Sequence, residues 1–102
     1  MIQLETNKQF DELIHHKTVM LFSADWCPDC RYLEPIIPEL EEEFPEQTFV
    51  YVDRDLFLNI CTEHGIFGIP SFIVFDKGEE SGRFVSKNRK TKSEIESFLK
   101  RI

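Results

Sequence analysis

Long apolar runs are missing from this sequence. The longest apolar-dominated stretch, Ile66 to Phe75, has ten residues and is broken by Gly68, Pro70 and Ser71, well short of the ~20 apolar residues that a membrane-spanning helix needs. Glycine is scarce at 4 and proline at 5, which argues against a collagen-like or disordered polymer. Positive charge is short too: 12 Lys and Arg against 19 Asp and Glu give a net charge of -7, which opposes broad contact with nucleic acid or an anionic membrane. The 3 cysteines are an odd number, too few for a stapled secreted scaffold. Residues 1 to 7 contain no basic region followed by an apolar stretch and no small-residue cleavage site, so no secretory signal is read and the expected location is the cytosol.

What is present suffices for a core. With 41% hydrophobic residues and ten phenylalanines in 102 residues, residues 1–102 are expected to form one domain. Helix-like and strand-like periodicities alternate without repeats, the pattern of an α/β fold. Ile2 and Leu4 start a short strand. Thr6 with Gln9 makes a capping-box pattern for a helix whose core face is Phe10, Leu13 and Ile14. Val19 to Phe22 is a continuous apolar run, the signature of a central strand covered on both faces. From Cys27 to Glu43, Leu33, Ile36, Ile37 and Leu40 follow a helical stripe, and Pro35 and Pro38 predict a kink near residues 31 to 35. Phe49 to Val52 reads as a second buried strand. Asp53 or Asp55 then caps a short helix carrying Leu56, Phe57, Ile60 and Cys61 inward, ended by Gly65. Phe72 to Phe75 and Arg83 to Val85 read as a hairpin across residues 76 to 82. Thr91 with Glu94 caps a last helix packed through Ile95, Phe98 and Leu99.

Cys27 and Cys30 stand at i and i+3 where a helix follows a buried strand, so both sulfurs fall on one side of the first turn. They are spaced to form a small-ring disulfide. Unpaired backbone N–H groups and the positive end of the helix favour the thiolate of the first sulfur, which makes a nucleophile. Pro28 suits the first turn, where its missing donor costs nothing, and Asp29 places a negative charge between the two sulfurs. Cys61 and His64 form C-x2-H, so a zinc site with Cys27 and Cys30 is a formal alternative. Cys61 also lies on the inward stripe of its own helix, where a free cysteine behaves as a small hydrophobe.

The segments Ala24-Asp25-Trp26-Cys27-Pro28-Asp29-Cys30, Pro35 five residues later, and Gly65-Ile66-Phe67-Gly68-Ile69-Pro70-Ser71 together resemble the thioredoxin family over nearly the whole chain. That resemblance implies the thioredoxin fold: a central mixed sheet of four to five strands flanked by about four helices. It implies a thiol-disulfide oxidoreductase with no bound cofactor, in which a redox-active Cys27–Cys30 pair exchanges disulfides through a mixed-disulfide intermediate. In its terms Cys27 attacks, Cys30 resolves, and Trp26, Ile69 and Pro70 form an apolar substrate platform, Pro70 following a cis peptide. Disulfide-bearing proteins or small molecules are the implied substrates and a separate reductase the implied electron donor. The runner-up is a non-catalytic binding module of the same fold, its dithiol serving as a redox sensor. Departures from the family pattern are Leu21 where typical thioredoxins have a buried aspartate, Phe49 in place of its lysine partner, and Ser23 where a tryptophan is common. Arg83, Lys87, Arg89, Lys90 and Lys92 form a basic stretch that reads as a solvated surface or as a patch attracting acidic substrates.

Overall fold

The computed structural model describes residues 1–102. The chain runs β1 (Ile2–Gln3), α1 (Asn7–Leu13), β2 (Thr18–Ser23), α2 (Pro28–Leu33), α3 (Ile37–Glu43), β3 (Thr48–Asp53), α4 (Leu58–Glu63), β4 (Ser71–Asp76), β5 (Glu79–Phe84) and α5 (Lys92–Lys100). The strands form one mixed sheet in the order β1-β3-β2-β4-β5, with β1, β3 and β2 parallel and β4 and β5 antiparallel. The Val19 to Phe22 run is the middle of this sheet, and every residue of β2 is buried.

Alternation along the strands divides the core in two. Val19, Leu21, Phe49, Phe72 and Val74 point to one face, where α2, α3 and α5 cover them through Leu33, Ile37, Leu40, Ile95, Phe98 and Leu99. Met20, Phe22, Val50, Val52, Ile73 and Phe75 point to the other, beneath Phe10 of α1 and Ile60 and Cys61 of α4. Each such side chain contributes about 1.5–3 kcal/mol on burial. A polar residue in the middle of β2 would therefore be felt by the whole fold.

The helix expected from Cys27 to Glu43 is two helices instead of one kinked helix. Pro35 has no N–H to offer the Arg31 carbonyl, and the chain tightens to three-residue bonds from Glu34 to Arg31 and from Ile36 to Leu33 before restarting with Pro38 in the first turn of α3. The expected inward placement of Leu56 is also corrected, since that side chain is 72% exposed. Asp53 is the reason: its Oδ1 accepts from the backbone N–H groups of Asp55 and Leu56, a turn that delays the helix and leaves Phe57 as its N-cap. Neither Asp53 nor Asp55 caps α4. Gly65 ends it as expected, at φ 68°, with Gly65 N–H bonded to Thr62 and Ile66 N–H to Cys61, the left-handed close that favours glycine.

The hairpin is longer and its turn tighter than the apolar pattern implies. β4 and β5 pair from Asp76↔Glu79 to Phe72↔Phe84, joined by Lys77 and Gly78, both at positive φ, the pair of left-handed residues that matches strand twist. The capping box at Thr91 and Glu94 forms in full. At α1 Thr6 accepts from Gln9 N–H, but the Gln9 side chain reaches Glu5 N–H rather than Thr6. No helix is long and apolar enough to cross a membrane.

Candidate active site

β2 ends at Ser23, and the chain turns through Ala24, Asp25 and Trp26 into α2. Cys27 is the N-cap of that helix in extended conformation, φ −88° and ψ 115°, and Pro28 occupies its first turn. The extended cap swings Cys27 toward the surface while the helical Cys30 lies one turn in. Both are largely covered, 7% and 4% exposed, and they cluster with Ala24 and Ile69. The two sulfurs are not bonded to each other. Burial and the neighbouring Cys27 push the Cys30 thiol up to about 11, against the smaller downward pull of hydrogen bonds from Ser23 and the Ala24 backbone.

Cys27 lines a groove of ≈ 290 Å³ together with Trp26, Asp29, Ile66, Phe67 and Ile69, with Arg54 and Lys87 at its margins. Cys30 does not reach it. The Ile69–Pro70 peptide is cis, and Ile69 packs against the cluster that holds Ala24 and both cysteines. Ser71 holds this segment, its hydroxyl donating to the Gly68 carbonyl at 2.6 Å and accepting from Ser86 N–H at 3.4 Å. Gly68 is required there, because a Cβ would stand 2.7 Å from the Ser86 carbonyl. Trp26 is 62% exposed yet fixed, since its indole N–H donates to Asp55 Oδ2 at 2.7 Å. That bond, with Arg54 beside it, holds the Asp55 carboxyl below the usual carboxylate range. A thiol lining a groove with a second thiol behind it is the pair that disulfide exchange requires, and the groove wall at Ile69 runs into a cis proline.

The thioredoxin family model matches residues 1–101. The chain is 37% identical over 78 residues to the mitochondrial thioredoxin-2 of Schizosaccharomyces pombe, an alignment covering 76% of this chain and 59% of that longer protein. It is 32% identical to thioredoxin-3 of Dictyostelium discoideum, over 89% of this chain and 88% of that one. The crystal structure of oxidised mitochondrial thioredoxin 3 from Saccharomyces cerevisiae superimposes with a TM-score of 0.87 at 26% identity, covering 100% of this chain and 95% of that one. The chain belongs to the thioredoxin family. It is a thiol-disulfide oxidoreductase with the family's fold, and Cys27 and Cys30 are its adjacent cysteines.

Around this thioredoxin dithiol the floor is apolar. Leu21 and Phe49 are buried, 3% and 2% exposed, and both belong to the core beneath α2. The polar groups nearby enter elsewhere. Ser23 lies two residues on from Leu21 and so on the same face of β2, beside Cys30. Tyr51, paired with Leu21 on β3, donates to Asp25 Oδ1 at 3.4 Å, and burial pushes its hydroxyl up to about 12.

Two of the alternatives raised by the sequence are set aside at this point. Cys61 and His64 are not brought to the dithiol: Cys61 packs in the opposite core layer, and the His64 ring sits 5.4 Å from Phe10 and 5.6 Å from Phe75. The structure assembles no Cys27/Cys30/Cys61/His64 site. The basic stretch is likewise not a patch, because Arg83 pairs with Glu80, Arg89 with Asp29 and Lys92 with Glu39, while Lys90 is buried. Of the five, Lys87 alone lines the groove. Sequence reasoning missed Asp55 as the holder of Trp26, Arg89 as the partner of Asp29, and Ser23 beside Cys30. Only the last had a signal, its i, i+2 spacing from Leu21 on a strand.

Proposed function

We propose that this thioredoxin works as a reductase of protein or small-molecule disulfides. The Cys27 thiolate attacks one substrate sulfur, forming a Cys27–substrate disulfide and releasing the other sulfur as a thiolate. The Cys30 thiolate then attacks Cys27 Sγ, which forms the Cys27–Cys30 disulfide and frees the second substrate sulfur. Two electrons pass to the substrate, and a separate reductase returns them. Trp26, Ile69 and Pro70 provide the platform for an extended substrate segment, and Pro28 and Asp29 tune the dithiol. The reading places the protein in a reducing compartment, the cytosol.

The observation that carries this division of labour is the position of the two sulfurs: Cys27 lines the groove and Cys30 lies behind it. Turnover of insulin disulfides with a thioredoxin reductase tests the activity; a binding module would give none. Cys30→Ser should accumulate mixed disulfides in cells and Cys27→Ser should abolish them. Faster alkylation of Cys30 than of Cys27 in the reduced protein would reverse the assignment.

A further inference from the structure

Of the ten phenylalanines in this chain only Phe67 is left in water, 70% exposed. It lines the same ≈ 290 Å³ groove as Cys27 and the exposed Trp26. Single apolar side chains on a surface are ordinary, but two aromatic rings gathered beside a reactive sulfur mark an interaction site. The backbone there is open as well. Phe67 and Ile69 lie outside the helices and strands, and none of their N–H and C=O groups takes part in the chain's backbone hydrogen bonds. Those groups are left for an extended peptide, which pairs through its main chain and is told apart by where its side chains fall.

Charge adds a second preference. Three charged residues line the groove, Asp29, Arg54 and Lys87. Asp29 is held by Arg89 at 2.9 Å and Arg54 by Asp55 at 3.1 Å, whereas no carboxylate pairs with Lys87. Gly68 sets its place. A Cβ at that glycine would stand 2.8 Å from both N and Cα of Lys87, so the lysine rises directly alongside the segment that carries Phe67 and Ile69. The whole chain bears a net charge of -7, but at ~0.15 M salt charges farther off than about 8 Å are largely screened. A peptide seated in the groove therefore meets a local cation on an acidic protein.

We propose that Phe67 and Lys87 select the substrate: the groove takes an extended peptide whose disulfide-bonded cysteine has a large apolar side chain close by, packed on Phe67, and a carboxylate close by, met by Lys87. The inference deepens the reductase reading and rests on Cys27 being the attacking thiol.

The test uses a short peptide with one cysteine between Phe and Glu, made in both orders and activated as its 2-pyridyl disulfide. The Cys27 thiolate attacks the peptide sulfur and the Cys27–peptide disulfide forms. The sulfur–sulfur bond to pyridine breaks, and pyridine-2-thiolate leaves and is protonated to its UV-absorbing thione. The second-order rate of release is measured at ~0.15 M salt for the faster order, then for peptides with Ser in place of Phe or Lys in place of Glu. Ratios between peptides cancel any change in the reactivity of Cys27 itself. The wild-type protein should prefer Phe over Ser about fivefold and Glu over Lys about threefold. Phe67→Ser should abolish the first preference and keep the second. Lys87→Glu should keep the first and invert the second, whereas Lys8→Glu, the same change in total charge on exposed α1 surface, should leave both ratios at their wild-type values. Equal rates for all peptides in the wild type overturn the proposal, as do equal shifts of the charge ratio in Lys87→Glu and Lys8→Glu. A preference that depends on Lys87 with none that depends on Phe67 also overturns it, and makes a small anionic disulfide the better occupant. Failure of every peptide to release the thione would instead overturn Cys27 as the attacking thiol, and the proposal with it.

Discussion

Arg89 and Asp29, 60 residues apart in sequence, meet at the dithiol: the guanidinium Nε donates to Asp29 Oδ1 at 2.9 Å while the same group lies 4.6 Å over the Tyr32 ring. The carboxylate between the two cysteines is thereby answered by a cation fixed through an aromatic face. Sequence alone places Asp29 as a negative charge that opposes a thiolate. With Arg89 in place most of that opposition is cancelled.

Arg89→Ala should leave stability almost unchanged, within about 1 kcal/mol, because the pair is half exposed and such pairs are weak. It should nonetheless slow iodoacetamide alkylation of Cys27 at low salt, since Asp29 is then uncompensated, and high salt should shrink the effect. Asp29→Asn in the wild type should change the rate little, and the double variant should return to the wild-type rate. A large acceleration from Asp29→Asn alone would show that Arg89 does not neutralise the carboxylate.

The Trp26 to Asp55 bond predicts a binding effect. Asp55→Ala leaves the indole unanchored on an exposed lip, so KM for insulin reduction should rise several-fold while kcat stays within twofold. An unchanged KM would mean that Trp26 keeps its pose through stacking alone.

Placing a carboxylate at Leu21 tests the apolar floor. No cation stands at Phe49 to answer it, so Leu21→Asp should lose on the order of 3 kcal/mol at neutral pH, read from the urea midpoint. The side chain would bind its proton more tightly folded than unfolded, so the loss should ease as pH falls toward the ordinary aspartate value near 3.9. A loss that does not vary with pH would point to lost packing instead of charge.

Cys30 predicts how resolution and stability follow pH. With its thiol raised from about 9 to about 11, the resolving step should quicken about tenfold per pH unit through neutrality, because the thiolate is the attacking species. Ser23→Ala removes a hydrogen bond that favours the thiolate and should slow that step at pH 7. Since the folded state disfavours the thiolate, the Cys30 contribution to stability of the reduced protein is complete below pH 9 and is lost as pH rises toward 11. Urea midpoints of the reduced and oxidised forms should therefore diverge above pH 9; parallel curves would place the titration elsewhere.

Cys61, 3% exposed and raised by burial, should resist alkylation until the protein is denatured. Cys61→Ala should cost about 1 kcal/mol through a small cavity and leave turnover intact. Rapid labelling of the native protein would contradict its burial.

Much of this molecule is written in short-range patterns. The Val19 to Phe22 run could only be a strand covered on both sides, Thr91 and Glu94 marked a helix start, and Cys27 and Cys30 marked the site. What escaped depended on where elements begin. Five of the six residues from 56 to 61 are apolar, so no single stripe is defined, and only the Asp53 turn decides that Leu56 faces water. The first part of β5 escaped because Glu79, Glu80, Ser81 and Gly82 give no apolar alternation, its pairing being fixed by the Lys77-Gly78 turn. Within the basic stretch only Lys90 departs from the solvated reading, for a related reason. A lysine between Arg89 and Thr91 looks solvated until the loop around it is folded.

β1 and β5, the outermost strands, bear on the behaviour of the molecule in crowded solution. β1 is two residues long, and β5 exposes Glu79, Glu80 and Arg83 beside an irregularity in its pairing at Val74 and Phe75. Brevity on one side and charged side chains on a distorted ladder on the other leave little for a stray strand to extend. The sheet thus carries its own guard against fibril growth, outside the groove where the chemistry takes place.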